Sequence, residues 1–303
     1  MAEQLQIGFV GLGQMGGPMA ERLLCPEVTL HVFDRATSAV ERLAGLGAVA
    51  HPSALAVADA ADMVLACLPS PAVSEAVALG PGGIGQGRFV RTYVEMSTIG
   101  CSSAERIAAG LRGRGVGFVD APISGGPPGA RAGTLAVMAA GSGDDLDRAM
   151  PALQRIGRTV YRVGDRPGLG QMMKLVNNLV VAANMASLFE ALVLGVKGGL
   201  DAGVMTDVLN ASTGRSMAST DMLPRSVLTG TFDFGAAISI LEKDVGLGLD
   251  EAARLSVPMW TLEQSARLWR FAMTQGRAAD DITALIKVME EWAGVTVRSV
   301  RPP

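Results

Sequence analysis

The first half of the chain alternates short apolar runs with Ala-rich segments whose apolar residues recur at helical spacing. The apolar runs predict strands over residues 5–10, 28–33, 63–68, 90–96, 116–119, 135–140 and 159–163. The segments between the first runs predict helices over residues 18–24, 38–46 and 53–61. Strands that alternate with helices predict a parallel sheet covered on both faces. The first half is therefore expected to form a doubly wound α/β sheet.

The second half has a helical pattern almost throughout. Its first segment, residues 171–194, is long and apolar, but it contains Lys174, Asn178 and Glu190, which favour a buried helix over a membrane span. Further helices are predicted over residues 202–210, 238–255, 259–275 and 282–293. The Pro- and Gly-containing stretch 162–170 indicates the domain boundary, giving domains 1–165 and 166–303.

Composition narrows the class of protein. Of the 303 residues, 49% are hydrophobic and 18% are charged, which excludes a disordered chain, and the net charge of −3 argues against a nucleic-acid surface. Two histidines, His31 and His51, cannot form a multi-His metal site. The three cysteines, Cys25, Cys67 and Cys101, lack zinc-ribbon spacing and suit a reduced, cytoplasmic setting. No metal, nucleic-acid partner or membrane is therefore expected.

A glycine-rich turn follows the first predicted strand directly. The pattern G-x-G-x-x-G comprises Gly11, Leu12, Gly13, Gln14, Met15 and Gly16. In a Rossmann βαβ unit, such glycines form a tight turn, admit a pyrophosphate and let the helix pack closely on the strand. The alternative is a Gly-rich turn without a ligand, since the pattern alone is weak in a chain with 38 glycines.

Asp34 lies at the end of the second predicted strand, 18 residues after Gly16. This is close to the spacing of about 20 residues expected for the acid that binds the ribose hydroxyls of NAD. A carboxylate there repels a 2′-phosphate, so NAD is the expected cofactor. The adjacent Arg35 would weaken that preference, and NADP therefore remains an alternative.

Oxidation of an alcohol by hydride transfer requires a group that accepts the hydroxyl proton. Neither histidine is placed for this, and neither tyrosine is followed by a lysine four residues later. Lysine can titrate usefully when burial lowers its pKa, whereas arginine stays charged. Lys174 begins the long apolar helix, with Asn178 one turn later on the same face. It is a candidate for proton transfer or, alternatively, a lysine that extends from a helix end into solvent.

A second loop suggests an anion site. Residues 120–126, DAPISGG, follow the predicted strand 116–119. Two glycines after a serine expose backbone N–H groups that suit a carboxylate. The alternative is an ordinary turn at a strand end.

Four segments, taken in order, resemble the β-hydroxyacid dehydrogenase family, which includes 3-hydroxyisobutyrate dehydrogenase and tartronate semialdehyde reductase. They are GFVGLGQMGGPMA at 8–20, DAPISGG at 120–126, GLGQMMKLVNN at 168–178 and LEKDVGLGLDEA at 241–252. The resemblance implies a Rossmann domain and an all-helical domain joined by a long helix, with the active site in the cleft between them. It also implies a homodimer or a homotetramer.

The resemblance also implies roles for individual residues. Lys174 would be the general acid/base, and Asn178 would orient the substrate. The substrate would also be bound by Ser124, Gly125, Gly126 and Asp244. The cofactor would be contacted by Leu68, Pro69, Thr98 and Lys243, besides the glycine-rich turn, Asp34 and Arg35.

The resulting prediction is an NAD-dependent enzyme that oxidises a small β-hydroxy acid, such as 3-hydroxyisobutyrate, to its semialdehyde, or catalyses the reverse reduction. One alternative is a tartronate semialdehyde reductase or related hydroxy-acid dehydrogenase. An alternative from another class is a dinucleotide-binding scaffold without catalytic activity.

Overall fold

The computed structural model describes residues 4–299, and the chain divides into two compact units. Unit 1 ends at Lys174, and unit 2 begins at Leu175. The sequence places the boundary after residue 165, before the long helix. The structural division falls later because the first residues of that helix are tied to unit 1. For example, the backbone N–H of Gln171 donates to Asp120.

Unit 1 is built on one sheet, and within the described residues its strands are β1 (Leu5–Val10), β2 (Val28–Phe33), β3 (Val49–Ala50), β4 (Met63–Ala66), β5 (Thr92–Glu95), β6 (Gly117–Asp120), β7 (Ile123–Ser124), β8 (Leu135–Gly141) and β9 (Gly157–Gly164). β1 and β2 have the predicted bounds. β4 ends two residues earlier than predicted, and β5 begins two residues later and ends one residue earlier than predicted. β3 and β7 were not predicted, since two residues are too short for an alternating pattern to emerge.

The strand order is β3-β2-β1-β4-β5-β6-β8-β7, with β9 paired to β8. β3 to β6 are mutually parallel, whereas β8 runs antiparallel to β6 and β7. The register aligns Val10 with both Phe33 and Ala66, so β1, β2 and β4 end at the same edge of the sheet. The chain order reverses between β1 and β4, and doubly wound sheets bind ligands outside the carboxyl ends at such a point. The predicted doubly wound α/β architecture is confirmed.

Helices cover both faces of the sheet: α1 (Gly16–Leu23), α2 (Thr37–Ala44), α3 (Ala54–Ala58), α4 (Pro71–Leu79), α5 (Cys101–Arg112), α6 (Gly126–Ala132) and α7 (Gly143–Ile156). One core cluster joins β1 to α1 and α7, and the other joins β4 to α3 and α5. Helices α4 to α7 were not predicted from the sequence. Start signals were nevertheless present: Ser70 and Ser142 cap α4 and α7 by accepting backbone N–H bonds.

Unit 2 contains most of α8 (Leu169–Lys197), followed by α9 (Ala202–Ala211), α10 (Ile238–Arg254), α11 (Trp260–Thr274) and α12 (Ile286–Ala293). A π-helix spans Ala218–Val227, and a 3₁₀ helix at Ile282–Leu285 precedes α12. The π-helix was not predicted, and the helix predicted over 282–293 is divided between the 3₁₀ turn and α12. The helical character predicted for this half is confirmed.

By length and composition alone, α8 is apolar enough to cross a membrane. Its buried residues recur at helical spacing along one side and include Leu179, Ala182, Met185 and Phe189, which belong to the core of unit 2. The indole N–H of Trp269 also donates to the carbonyl of Ala182. Packing in the core of unit 2 therefore accounts for the apolar side chains on that side of the helix.

Candidate active site

The glycine-rich turn joins β1 to α1 at the carboxyl edge of the sheet. Gly11 has φ +91°, a conformation that favours glycine. A Cβ atom on Gly11 would collide with the carbonyl oxygen of Cys67, and one on Gly16 with the carbonyl oxygen of Gly11. Neither position can therefore hold a side chain without moving the backbone.

Gly13 differs from these two glycines because a Cβ atom there would have no neighbour within 4 Å. Gly13 and Gln14 are exposed in front of the N-terminus of α1, whereas Leu12 is buried and Met15 half-buried. The turn therefore leaves open space where a helix N-terminus favours an anion. This cradle fits the pyrophosphate of a dinucleotide.

Asp34 follows β2 at the same edge and is fixed by backbone groups on two sides. Its Oδ2 accepts the N–H of Leu12 at 2.6 Å, and its Oδ1 accepts the N–H of Ala36 at 2.7 Å. The carboxylate is thus fastened to the glycine-rich turn, with lone pairs left for further donors. Arg35 is exposed beside it.

The loops after β4 and β5 are joined through Ser97. Its Oγ accepts the N–H of Leu68 at 2.6 Å, and its own N–H donates to Oε1 of Glu95 at 2.9 Å. Glu95 is fully buried and also accepts the hydroxyl of Tyr93 at 2.8 Å. Burial raises the pKa of Glu95, against the hydrogen bonds that lower it. The predicted cofactor residues on these loops are Leu68, Pro69 and Thr98.

The predicted substrate loop leaves β6 at Asp120 and enters the short strand β7. Ser124 of β7 is half-buried and pairs with Ala136 of β8. Gly125 and Gly126 follow with φ +131° and +62°, values that only glycine adopts without strain. The loop is therefore a sharp turn whose two glycines keep side chains away from the backbone.

The start of α8 is bound to Asp120. Oδ2 of this buried carboxyl accepts the N–H of Gln171 at 2.8 Å, whereas Oδ1 has no hydrogen-bond partner within residues 4–299. Burial raises the pKa of Asp120 to about 7, although backbone N–H donors at the start of α8 oppose the shift. Lys174 lies one turn further along and is 9% exposed.

The predicted residues of unit 2 form a hydrogen-bonded group between α8 and α10. Nδ2 of Asn178 donates to Oδ2 of Asp244 at 2.6 Å, and Nζ of Lys243 lies 2.8 Å from Oδ1 of Asp244. Asp244 is buried, and Lys243 is 29% exposed. The helices approach closely there, since a Cβ atom on Gly248 would lie 2.8 Å from Leu179.

The two histidines, which the sequence does not place for proton transfer, form a pair on the β1–β3 side of the sheet. Nδ1 of His31 lies 2.9 Å from Nε2 of His51, and Nε2 of His31 lies 2.9 Å from Oε1 of Gln6. Burial lowers the pKa of both rings. Among residues 4–299, no group of three or more His, Cys, Asp or Glu side chains is arranged to hold a metal ion.

The structure places the predicted cofactor residues of unit 1 along one edge of the sheet, and it groups Asn178, Lys243 and Asp244 within unit 2. Two further polar residues at this edge, Gln171 and Glu95, are fully buried and were not predicted. Gln171 could have been noticed as a polar residue on the Lys174 face of an apolar helix. Glu95 could have been noticed as a charge inside an apolar strand.

The sheet order, the glycine-rich turn and the fixed Asp34 define a dinucleotide-binding protein of the Rossmann class, followed by a helical unit. Residues 6–164 match the model for the NAD-binding domain of 6-phosphogluconate dehydrogenase. Residues 168–289 match the model for the NAD-binding region of NADP-dependent 3-hydroxyisobutyrate dehydrogenase.

Individual proteins agree with these models. The chain is 38% identical over 298 residues to 2-(hydroxymethyl)glutarate dehydrogenase of Eubacterium barkeri, covering 98% of this chain and 99% of that protein. It is 36% identical over 301 residues to NAD-dependent L-serine dehydrogenase of Pseudomonas aeruginosa, covering 95% and 99%. The structure of Mycobacterium tuberculosis 3-hydroxyisobutyrate dehydrogenase with L-serine matches with a TM-score of 0.86 and 30% identity, covering 94% and 99%.

The chain belongs to the β-hydroxyacid dehydrogenase family. This family consists of NAD(P)-dependent oxidoreductases that act on CH–OH groups, as the sequence analysis predicted. The matches span both units and so cover the glycine-rich turn, Lys174 and Asp244 together.

Proposed function

We propose that the protein is an NAD-preferring dehydrogenase of small β-hydroxy acids, HOCH₂–CH(R)–COO⁻, with 3-hydroxyisobutyrate as the reference substrate. The acids named for three relatives, 2-(hydroxymethyl)glutarate, L-serine and 3-hydroxyisobutyrate, share this skeleton and differ in R. The observation that carries the proposal is the buried Lys174 at the start of α8, in the same unit as the dinucleotide cradle.

Lys174 acts as the general acid/base. In the oxidative direction, its neutral Nζ accepts the hydroxyl proton of the substrate, while the bound nicotinamide supplies the acceptor for the hydride from the carbinol carbon. In the reductive direction, the protonated Nζ donates to the alkoxide that develops from the semialdehyde. Burial suits this role because it destabilises the charged form of a lysine.

Other residues bind and orient the acid. Asn178 hydrogen-bonds the substrate, and its amide is oriented by the bond to Asp244 at 2.6 Å. Ser124, Gly125 and Gly126 bind the carboxylate through a hydroxyl and backbone N–H groups. Lys243 is assigned to contact the cofactor, as the family resemblance implies.

The preference for NAD rests on Asp34. Two backbone N–H groups fix its carboxylate at the edge where the adenosine ribose is expected, and a 2′-phosphate there would meet a negative charge. Arg35 offers NADP partial compensation. We expect a higher kcat/KM with NAD than with NADP.

The test is a steady-state assay with both cofactors. The oxidative panel contains 3-hydroxyisobutyrate, 3-hydroxypropionate, 2-(hydroxymethyl)glutarate, L-serine, glycerate and threonate, and tartronate semialdehyde tests the reductive alternative. Lys174→Ala should lower kcat by about 10²–10⁴. The control Arg158→Ala, an exposed cation on β9, should leave kcat within about twofold, as is usual for a surface substitution.

Each outcome of this assay has one meaning. Near-normal turnover by Lys174→Ala contradicts the mechanism, and preferred reduction of tartronate semialdehyde selects the other branch of the family. Tight NADH binding without turnover of any panel member supports a dinucleotide-binding scaffold.

We further propose that the protein is a cytoplasmic homodimer or homotetramer. Unit 2 exposes large apolar side chains, including Leu194 (74%), Trp260 (82%) and Trp292 (65%), and such surfaces commonly mark protein interfaces. Within residues 4–299, none of the three cysteines forms a disulfide, which suits a reducing compartment. Light scattering coupled to gel filtration will determine the oligomeric state, and a monomer would contradict this assembly.

A further inference from the structure

Gln171 is a fully buried amide in the first turn of α8. A buried amide needs partners for its donors and its acceptor. Its Oε1 accepts the N–H groups of Ile99 and Gly100 at 2.8 and 3.2 Å, and its Nε2 donates to the carbonyl of Ser97 at 3.1 Å. All three bonds go to the backbone of one loop, residues 97–100.

This loop follows β5 at the carboxyl edge of the sheet and carries Thr98, a predicted cofactor contact. Ser97 of this loop forms hydrogen bonds with Glu95 at the end of β5 and with Leu68 on the loop after β4. Gln171 is therefore bonded to a segment that is itself held in place from two sides.

The backbone of Gln171 is held as well, because its N–H donates to Oδ2 of the buried Asp120 at 2.8 Å. Gly170 beside it is also required by packing, since a Cβ atom there would lie 2.5 Å from the carbonyl oxygen of Met138. The start of α8 is thus fixed against the ends of β5 and β6 and the middle of β8.

Lys174 follows Gln171 by three residues, so the two side chains lie on the same side of the helix. The lysine stem has four methylene groups, and the position of its amine depends on where the helix is fixed. We propose that Gln171 is a positioning residue that holds the start of α8 against the 97–100 loop. This keeps Lys174 at the distance from the cofactor-binding edge that proton and hydride transfer require. This inference rests on the proposed function.

A role in stability alone predicts a different outcome. If Gln171 only satisfied buried polar groups, its loss would lower the melting temperature but leave the turnover of each folded molecule unchanged. A positioning role affects kcat, because a displacement of about 1 Å in a catalytic group can reduce the rate about 10²-fold. It affects KM for the acid less, because Lys174 is assigned proton transfer and the carboxylate is assigned to the 124–126 loop.

The test variant is Gln171→Met, which keeps the length of the side chain and removes its donor and acceptor. The control is Gln86→Met, because Gln86 also bonds backbone groups, those of Gly82 at 3.1 Å and Gly80 at 3.4 Å. Gln86 precedes β5 and so lies toward the opposite edge of the sheet from the 97–100 loop. NADH fluorescence titration counts the folded sites, and kcat is expressed per site.

For Gln171→Met, we expect kcat per site to fall by about 10–100-fold, with KM for the acid within about threefold. The deuterium isotope effect on kcat, measured with a substrate labelled at the carbinol carbon, should rise as hydride transfer becomes slower. Gln171→Glu keeps an acceptor for Ile99 and Gly100, so its kcat should be intermediate. Gln86→Met should match the wild type in all three quantities.

The inference is overturned if Gln171→Met and Gln171→Glu both retain the kcat and isotope effect of Gln86→Met. If Gln171→Met does not fold, Gln171→Glu decides by the same criterion. Failure of the proposed function is distinguishable, because wild-type protein would then turn over no acid, or Lys174→Ala would stay active.

Discussion

The two units hold their functional groups in different ways. At the edge of the sheet in unit 1, the cofactor cradle is made of backbone: the turn at Gly11 and Gly16 leaves no room for side chains. In unit 2, the corresponding group is made of side chains, with Asn178 bonded to Asp244 and Asp244 paired with Lys243.

The difference follows from what each region is assigned to bind. A pyrophosphate presents many oxygens to which backbone N–H groups donate, so a tight turn suffices. In unit 2, Asn178 is assigned to bond a small acid that offers few contacts, so its side chain must be oriented, here by Asp244. Loss of any one side chain therefore disrupts the hydrogen-bonded group in unit 2. The backbone cradle in unit 1 tolerates substitutions at positions whose side chains point outward.

The largest effect is expected when Asp244 is truncated to alanine. This removes the acceptor of Asn178 and leaves Lys243 without its carboxylate partner at 2.8 Å. Breaking a buried pair usually costs about 3–5 kcal/mol. Because the Lys243 side chain is 29% exposed, we expect a loss of about 2–4 kcal/mol in the free energy of unfolding, together with a loss of turnover.

Urea denaturation and steady-state kinetics will check this prediction. Asp250→Ala, an exposed acid on the same helix, is the matched control and should stay within about 0.5 kcal/mol of the wild type. If Asp244→Ala is as stable and as active as this control, the hydrogen bonds of Asp244 to Asn178 and Lys243 contribute to neither stability nor turnover.

The pH dependence of Asp120 gives the next largest effect and tests a side-chain anchor within unit 1. Burial raises its pKa from 3.8 to about 7, so the folded state favours the neutral carboxyl. The stability that this proton provides is fully present below the unfolded pKa and is lost as pH rises through the folded pKa. Asp120→Asn keeps an acceptor for the N–H of Gln171 but does not titrate.

The difference in the free energy of unfolding between the wild type and Asp120→Asn should therefore decrease by about 2 kcal/mol from pH 5 to pH 7. This follows from about 1.36 kcal/mol per pH unit over the range in which only the folded state holds the proton. Urea denaturation of both proteins at pH 5, 6 and 7 measures the difference, and other titrating groups cancel in it. Parallel curves over this range would mean that the carboxyl is already ionised at pH 5.

The sequence predicted the backbone-built region more completely than the side-chain-built one. In β1 and β2, four of the six residues are large and apolar, and the glycines of the turn have a fixed spacing, so local patterns were sufficient. The positions of Lys174 and Asn178 on one helix face also followed from spacing. The roles assigned to the site residues stay predictions.

Contacts between distant residues could not be predicted in the same way. The bonds of Gln171 to the 97–100 loop span more than 70 residues, and the Asn178–Asp244 bond spans 66. They depend on how strands and helices pack, which no local pattern specifies. The short strands β3 and β7 were missed for a related reason, since pairing with their neighbours defines them.

The smallest effect is expected at Gly13, where the backbone cradle can be tested without disturbing the fold. A Cβ atom there has no neighbour within 4 Å in the protein, but it would occupy space assigned to the pyrophosphate. Gly13→Ala should therefore weaken NADH binding about tenfold, or about 1.4 kcal/mol, while the melting temperature of the free protein is unchanged. Gly143→Ala is the control, since it also has open space but begins α7 after the antiparallel strand β8, at the amino edge of β6. It should leave NADH affinity unchanged. If fluorescence titration gives equal NADH affinities for the two variants, the assignment of the pyrophosphate to this turn is wrong.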